Sequence, residues 1–236
     1  MTRLTRDPGA VLVDATQLIV RRLSPPQPPG PLLAASRFPF LSELERRAPE
    51  LRQELLDTLL ERVGTPPDTF ELNGCAVGVT GHWRIVPLFD RRGPLPLTAG
   101  LVATLQVLGA IPGLRAADVA QLDARSAIHP HRGHNVGVLR AHLTLAEPEG
   151  PGDCELRFPG MGLAQPWQTG RAFVFDDLFE HAAVNDRAAP RLILHLELDR
   201  PGGPLFRTAN GLAQRLYRYH PIQRGVRTRV AEVIAT

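Results

Sequence analysis

Two stretches of the chain carry hydrophobic residues at helical spacing. Leucines recur every three or four positions between residues 51 and 63, and Ser42 with Glu45 has the spacing of a capping box. We therefore predict an amphipathic helix that begins near Ser42 and is interrupted at Pro49. A second helix is predicted from Thr98 to Leu108. Both are expected to pack on the outside of a sheet.

From Val77 onward the pattern changes to short alternating runs separated by Gly, Pro and Asp. Five or six strands at this spacing indicate an antiparallel barrel or double sheet, not alternating βαβ units. The predicted fold class is mainly β with flanking α, a jelly-roll or cupin-like barrel with N-terminal helices packed outside. The predicted strands are Val77–Leu88, Asp118–Ile128, Asn135–Ala146, Glu155–Phe158, Ala172–Phe175 and Arg191–Asp199.

Two of these strands pair an aliphatic row with a polar face. Side chains alternate along a strand, so residues 139, 141, 143 and 145 form one face of the third strand, while Arg140 and His142 lie on the other. In the last strand four leucines oppose Arg191 and His195. Because arginines inside a barrel normally neutralise an anion, the polar faces predict an anion-binding interior.

Composition limits the chemistry that the chain can carry out. The 236 residues include 27 basic ones, all of them arginine, which excludes a lysine Schiff base and a Walker lysine. Cys75 and Cys154 are far apart and are expected to be free thiols in a reducing compartment. No signal peptide or membrane span is recognised, so a cytoplasmic location is expected.

The proline-rich segment Ser24 to Leu32 divides the chain, because it cannot form a helix or an interior strand. We predict an N-terminal arm with this linker at 1–37, a main domain at 38–201 and a basic extension at 202–236. The extension carries six arginines against one acid. It fits a helix that packs Leu212 and Leu216 on the barrel, an acidic carrier or peptide partner or, as a weaker signal, nucleic acid.

Histidines are concentrated where the strands carry polar faces. His131 followed by Gly133, together with the distant His181, approaches the two-histidine-one-carboxylate arrangement of non-haem iron oxygenases, with glycine in place of the carboxylate. Asp176 and Asp177 are expected to set the turn that delivers His181 rather than to bind metal.

Several sequence blocks together resemble one enzyme family. HRGHNVGVLRAHLTL (131–145), PWQTGRAFVFDDLFEHAAVND (166–186) and RLILHLELDRP (191–201) look like the catalytic domain of the aspartyl/asparaginyl β-hydroxylase family, and FPFLSELE (38–45) with HWRIVPLFD (82–90) resembles its entry region. The resemblance implies a double-stranded β-helix that uses Fe(II), 2-oxoglutarate as cosubstrate, and O2.

The same resemblance implies roles for individual residues. His131 and His181 become the iron ligands and catalytic centre, and Arg191 becomes the partner of the distal carboxylate of 2-oxoglutarate. Arg140 and His142 match residues that contact the cosubstrate or the substrate, and the division between these two roles stays open.

Other positions depart from the family pattern. Val138 stands where peptidyl-aspartate hydroxylases carry a further arginine for the substrate, and Ala120 replaces a serine that helps bind 2-oxoglutarate. His134 is a spare ligand, a substrate contact or a solvated side chain. The candidate substrate-binding set is therefore Arg140, Val138 and His134.

The resulting functional expectation is hydroxylation of a C–H bond in an amino acid, a peptidyl residue or a carrier-bound aminoacyl group, with release of succinate and CO2. The alternatives are a 2-oxoglutarate-dependent halogenase and a non-catalytic barrel that binds ligands. The expected partner is a small molecule, a peptide or a carrier-bound substrate. No membrane or nucleic-acid partner is expected, and the oligomeric state is open.

Overall fold

The structure, a computed structural model, describes residues 8–60, 63–64, 77–217 and 219. The helices are α1 (Pro8–Leu23), α2 (Phe40–Arg46), α3 (Ala48–Gln53), which a π-helical stretch (Glu54–Leu60) continues, α4 (Val102–Ala110) and α5 (Pro204–Tyr217). The strands are β1 (Leu32–Leu33), β2 (Val79–Thr80), β3 (Trp83–Asp90), β4 (Gly93–Pro94), β5 (Leu114–Leu122), β6 (Ser126–His131), β7 (Val138–Ala146), β8 (Cys154–Phe158), β9 (Leu163–Pro166), β10 (Ala172–Phe175), β11 (His181–Asn185) and β12 (Arg191–Asp199).

The strands form two sheets in which every pair of neighbours is antiparallel. One has seven strands in the order β1-β10-β7-β12-β5-β3-β4, and the other has five in the order β2-β6-β11-β8-β9. Consecutive strands such as β5 and β6, or β11 and β12, lie in different sheets, so the chain winds between the two layers. The arrangement is a double-stranded β-helix, which confirms the expected fold class.

Two hydrophobic cores lie on opposite faces of the larger sheet. On its outer face, leucines of α2, α3 and the π-helical stretch pack against the aliphatic rows of β7 and β12. On its inner face, a second cluster fills the space between the sheets and contains Trp167, Phe175 and Ile193. The predicted alternation is therefore confirmed, because the leucine rows face the helices and Arg140, His142 and Arg191 face the barrel interior.

The strand predictions contain two wrong divisions and four omissions. The single strand predicted over 77–88 is two strands, β2 and β3, separated by a turn at Gly81, whose φ is 76°. The single strand predicted over 118–128 is two strands, β5 and β6, joined by a turn in which Arg125 has a φ of 54°. That turn, residues 123–125, contains no Gly, Pro or Asn, so Asp123 is its one turn signal. Strands β1, β4, β9 and β11 were not predicted, because they are very short or their residues are small or lack alternation.

The first helix begins differently from the prediction. Helix α2 starts at Phe40 after Pro39, without a side-chain cap, so Ser42 is an interior helical residue and the predicted capping box is wrong. The interruption at Pro49 is confirmed, because α2 ends at Arg46 and α3 has a proline in its first turn. The second predicted helix forms as α4 and starts later, at Val102.

Both terminal segments pack on the barrel. The proline-rich arm leads into β1, which pairs with β10, and α1 packs beside α5 around Val20, Phe206 and Ala213. On α5 the buried side chains include Asn210 and Gln214, whereas Leu212 is exposed, so the prediction that Leu212 packs on the barrel is wrong. The predicted thiol Cys75 and most of the basic extension lie outside the described residues.

Candidate metal and anion site

A cavity of about 190 Å³ opens between the two sheets. A cavity needs roughly 10–15 Å³ of such space for one water, so there is room for a small dicarboxylate and part of a substrate. Its polar lining comes from β6, β7, β11 and β12, from the loop after β6 and from the turn before β11. The polar and charged lining residues are His131, Arg132, His134, Arg140, His142, Asp177, His181, Arg191 and His195.

His131 and His181 lie side by side at this cavity. They face each other across the β6–β11 pairing, and their ring centroids are 4.2 Å apart. The Nδ1 atom of His131 lies 2.8 Å from the carbonyl oxygen of His129, and that of His181 lies 2.9 Å from the carbonyl oxygen of Phe179. Each Nδ1–H donates to a carbonyl, which leaves the Nε2 lone pair for a metal.

The electrostatic setting of His181 favours a neutral ring. Burial lowers its pKa to about 4, and the neighbouring His131 adds to the effect. A neutral imidazole is the form that binds a divalent metal. The two histidines therefore fit the nitrogen ligands of an Fe(II) ion.

No third protein ligand accompanies them within the part of the chain that the structure describes, where three-residue metal clusters of His, Cys, Asp or Glu are absent. The backbone N–H of Gly133 donates to the carbonyl oxygen of Asp177 at 2.6 Å, and a β-carbon at position 133 would collide with the Asp177 carboxylate. Position 133 is thus restricted to glycine by packing. A metal here would keep coordination positions for small ligands.

Arg191 is a buried cation whose hydrogen bonds are incomplete. Its side chain is 2% exposed, its Cζ lies 4.2 Å from the Trp167 ring centroid, and its Nε and Nη1 have no hydrogen-bond partner among the described residues. Burial lowers its pKa to about 10, which still leaves it charged at neutral pH. A buried guanidinium with unused donors at a cavity wall fits a carboxylate ligand.

His142 lies close to Arg191 in an aromatic setting. The Trp167 indole N–H donates to His142 Nδ1 at 3.2 Å, so the proton of the neutral ring is on Nε2. Burial lowers the pKa of His142 well below its ordinary value, and His195 and Arg191 lower it further. His142 is therefore a neutral hydrogen-bond donor at the cavity.

Arg140 differs from Arg191 because two carboxylates neutralise it. Its Nε lies 2.8 Å from Asp177 Oδ2, and its Nη1 binds Glu197, the residue opposite it on β12. Burial would lower the pKa of Arg140, but Glu197 and Asp177 raise it above its ordinary value. Glu197 also binds Arg91 at 2.5 Å, so the four side chains form one ion-pair network.

The remaining predicted residues fall into three groups. Val138 is fully buried and is not part of the cavity lining, so its place in the substrate-binding set is withdrawn. His134 lines the cavity and hydrogen-bonds the Tyr217 hydroxyl. Asp176 accepts a backbone N–H of the turn before His181, as expected, and also pairs with the buried Arg200 at 2.6 Å.

Trp167, Asp177 and Tyr217 were not assigned to the site from the sequence. Trp167 and Asp177 both lie in the block 166–186, whose residue types already suggested the family. Tyr217 belongs to the C-terminal helix, and nothing in its local sequence indicates that it reaches His134. This contact depends on the packing of α5 against the barrel.

A double-stranded β-helix that presents two histidines and a buried arginine to one cavity is typical of non-haem metal oxygenases. Comparison with known proteins agrees. The family model described as Aspartyl/Asparaginyl beta-hydroxylase matches residues 45–201, which is more than half of the chain. The chain therefore belongs to the aspartyl/asparaginyl β-hydroxylase family, as the sequence blocks indicated.

Individual relatives are more distant. An ornithine lipid ester-linked acyl 2-hydroxylase from Rhizobium tropici is 29% identical over 176 residues, covering 72% of this chain and 61% of the relative. A human aspartate beta-hydroxylase domain-containing protein 2 is 35% identical over 86 residues, covering 35% of this chain and 22% of the relative. The chain thus spans less than two thirds of the length of each.

Solved structures with a similar fold include a Pseudomonas putida prolyl-4-hydroxylase and a Burkholderia pseudomallei oxidoreductase of the 2OG-Fe(II) oxygenase family. The first has a TM-score of 0.42 and 18% identity, and its alignment covers 69% of this chain and 100% of the prolyl-4-hydroxylase chain. The second has a TM-score of 0.42 and 14% identity, and its alignment covers 66% of this chain and 92% of the oxidoreductase chain.

Proposed function

We propose that the protein is an Fe(II)- and 2-oxoglutarate-dependent hydroxylase. The observation that carries the proposal is the joint presence, in one cavity, of two adjacent histidines whose Nδ1 atoms hydrogen-bond to backbone carbonyls and of an incompletely bonded buried arginine. Fe(II) bound here would couple the oxidative decarboxylation of 2-oxoglutarate by O2, giving succinate and CO2, to insertion of the second oxygen atom into a substrate C–H bond.

The residues of the chain would bind and orient the reactants. His131 and His181 hold the metal through Nε2, because the carbonyl oxygens of His129 and Phe179 engage the two Nδ1–H groups. Arg191 binds the distal carboxylate of 2-oxoglutarate, and the Nε2–H of His142 donates to its other oxygens. The apolar wall around Ile193 excludes water from the reacting atoms.

Arg140 has a positioning role in this proposal, because Asp177 and Glu197 already satisfy its charge. It holds Asp177 against Gly133 and so fixes the wall beside the two histidines. The intact histidines and Arg191 argue against a barrel that only binds ligands.

For the substrate, we propose an aliphatic acyl group, preferably one linked to a lipid. Apolar side chains such as Trp83, Ile128 and Leu156 form much of the cavity wall, and the relative from Rhizobium tropici acts, by its name, on an ester-linked acyl group of a lipid. Val138 replaces the arginine expected for a peptidyl aspartate and is buried. An amino acid, a peptidyl residue and a carrier-bound aminoacyl group are the competing substrates.

Mass spectrometry of reaction mixtures tests the proposal. Protein with Fe(II), 2-oxoglutarate and O2 should release succinate and add one oxygen atom to an ester-linked acyl lipid, and His181→Ala should do neither. Oxygen added only to amino acids, peptides or carrier-bound groups would keep the reaction and overturn the acyl assignment. Gain of chlorine by the substrate in the presence of chloride would identify a halogenase. Folded protein that binds no 2-oxoglutarate would contradict the proposal of a 2-oxoglutarate-dependent enzyme.

A further inference from the structure

Helix α1 turns an apolar face to the solvent. Val11, Leu12, Leu18 and Ile19 are between 44% and 64% exposed. At about 100° per residue these four side chains fall within an arc of roughly 120°. The opposite side of the helix carries Val13 and Val20, which are buried against the protein. The exposed face is therefore additional to the packing face and has no partner among the described residues.

Helix α5, which packs beside α1, also carries exposed leucines. Leu205 and Leu212, two helical turns apart and so on the same side, are 68% and 56% exposed. Of the ten large hydrophobic side chains exposed within the described ranges, six belong to these two packed helices. We call Val11, Leu12, Leu18, Ile19, Leu205 and Leu212 the helix-pair surface. Such concentrated exposure marks an interaction site rather than the scattered apolar residues of an ordinary surface.

The charges around the helix-pair surface favour an anionic partner. Four exposed arginines lie on the two helices, at positions 21, 22, 207 and 215, and the only acidic side chain there is the exposed Asp14. A second copy of the chain would bring the same excess of positive charge. Anionic lipid headgroups complement it, and an amphipathic helix with arginines beside an apolar face is the form that lies in a membrane interface.

Helices α1 and α5 also form hydrogen bonds to the loop at the edge of the cavity. The backbone N–H of Val136 donates to Gln17 Oε1 of α1 at 3.0 Å, and the Tyr217 hydroxyl of α5 hydrogen-bonds His134. That loop, which follows β6, also contains Gly133. The two helices that carry the helix-pair surface therefore also contact a loop that lines the cavity.

We propose that the helix-pair surface docks on an anionic lipid bilayer, with the apolar side chains of α1 and α5 inserted between the headgroups. This is peripheral contact, since the helices of the described segments are too short or too polar to cross a membrane. It revises the expectation that the protein has no membrane partner. The contact does not require metal or turnover, so its test is separate from that of the proposed function.

Co-sedimentation of the full-length, metal-free chain with vesicles tests the proposal. The protein should pellet with vesicles of phosphatidylglycerol and phosphatidylcholine, and more weakly with phosphatidylcholine alone. Leu18→Glu should lower the partition constant about tenfold, because it removes an inserted aliphatic side chain. Val102→Glu is the matched control, since Val102 is 62% exposed on α4 and Leu18 is 64% exposed on α1; its partition constant should stay within about twofold of wild type.

Three results would overturn the proposal. Wild-type protein could fail to bind anionic vesicles. Leu18→Glu, shown to be folded by circular dichroism, could bind as well as wild type, which would assign binding to the basic tail. Alternatively, size-exclusion chromatography could show self-association that Leu18→Glu abolishes while vesicle binding persists, which would make a second copy the occupant.

Discussion

Two arginines face the same cavity from neighbouring strands, yet their surroundings differ. Arg140 on β7 has Glu197 opposite it on β12 and Asp177 from the turn before His181. Arg191 on β12 has Leu122 opposite it on β5, and within the described residues its charge is partnered by the face of the Trp167 ring, a cation–π contact, and by no carboxylate. The charge of Arg140 is therefore neutralised within the protein, whereas that of Arg191 requires an anionic ligand. The difference indicates that Arg140 holds the wall and Arg191 holds the ligand.

The largest expected effect is on stability, from Arg140→Met. This change leaves Glu197 and Asp177 buried without their common cation, which costs about 3–5 kcal/mol in the free energy of unfolding. Urea unfolding followed by circular dichroism measures it. Val138→Ile on the same strand, which changes a buried aliphatic residue without altering charge, controls for packing. A loss below about 1 kcal/mol in Arg140→Met would show that the ion-pair network does not stabilise the wall.

Arg191→Met should weaken the binding of 2-oxoglutarate without destabilising the fold. Removal of a buried, incompletely bonded cation is expected to leave the free energy of unfolding unchanged or raise it by about 1–3 kcal/mol. The dissociation constant for 2-oxoglutarate should rise on the order of 100-fold, because a buried charged contact to the ligand is lost. Urea unfolding and calorimetric titration give the two values. Destabilisation without loss of 2-oxoglutarate affinity would reverse the roles of the two arginines.

The metal-site histidines and the ion-pair network should also respond differently to acid. The pKa of His181 is about 4 in the folded state against an ordinary value of 6.5, so the unfolded chain takes up the proton first as the pH falls. The neutral ring therefore contributes fully to the free energy of unfolding above about pH 6.5. This contribution, at most about 3 kcal/mol, is lost as the pH falls towards 4. Unfolding of metal-free protein across this range should show the loss, and His181→Gln should reduce it.

Glu197, which pairs with Arg140, contributes little to this loss above about pH 5, because stability from a carboxylate with a lowered pKa is lost only as the pH falls through its unfolded value of 4.5. Burial would raise the pKa of Glu197, but Arg140 and Arg91 hold it far below its ordinary value. Arg140→Met should therefore not flatten the pH dependence of the unfolding free energy between about pH 6.5 and pH 5. If it did, the acid sensitivity would belong to the ion-pair network and not to the histidines.

The smallest effect is expected from Trp167→Phe. Phenylalanine keeps an aromatic face for Arg191 but removes the indole N–H that donates to His142 Nδ1. The loss in stability should be about 1 kcal/mol, the net value of one hydrogen bond. Affinity for 2-oxoglutarate should change less than tenfold, whereas Trp167→Leu, which also removes the aromatic face, should weaken it further. Equal affinities in the two variants would exclude a role for the ring beneath Arg191.

Local patterns predicted the parts of the molecule that depend on periodicity. The leucine rows of β7 and β12, the helical leucines and the face that carries Arg140 and Arg191 all follow from side-chain alternation. The pattern could not separate the two arginines. Their difference depends on which residue pairs with each across the sheet, and Glu197 and Leu122 are 57 and 69 positions away from them.

The terminal helices show the same limit. Helix α5 buries Asn210 and Gln214 and exposes Leu212, because its inner face meets the polar loop that follows β6. A prediction from hydrophobicity places the leucine inside. The turn between β5 and β6 also escapes detection, since Arg125 takes a positive φ that its residue type does not suggest.

The central claim is that His131 and His181 bind Fe(II) and that Arg191 anchors 2-oxoglutarate beside it. Anaerobic titration of the Fe(II)-loaded protein with 2-oxoglutarate, followed by visible absorption, tests this most directly. We expect a metal-to-ligand charge-transfer band in wild type, no band in His181→Ala, and a midpoint shifted on the order of 100-fold to higher 2-oxoglutarate in Arg191→Met. Folded wild-type protein without a band, or an Arg191→Met titration that matches wild type, would contradict the account.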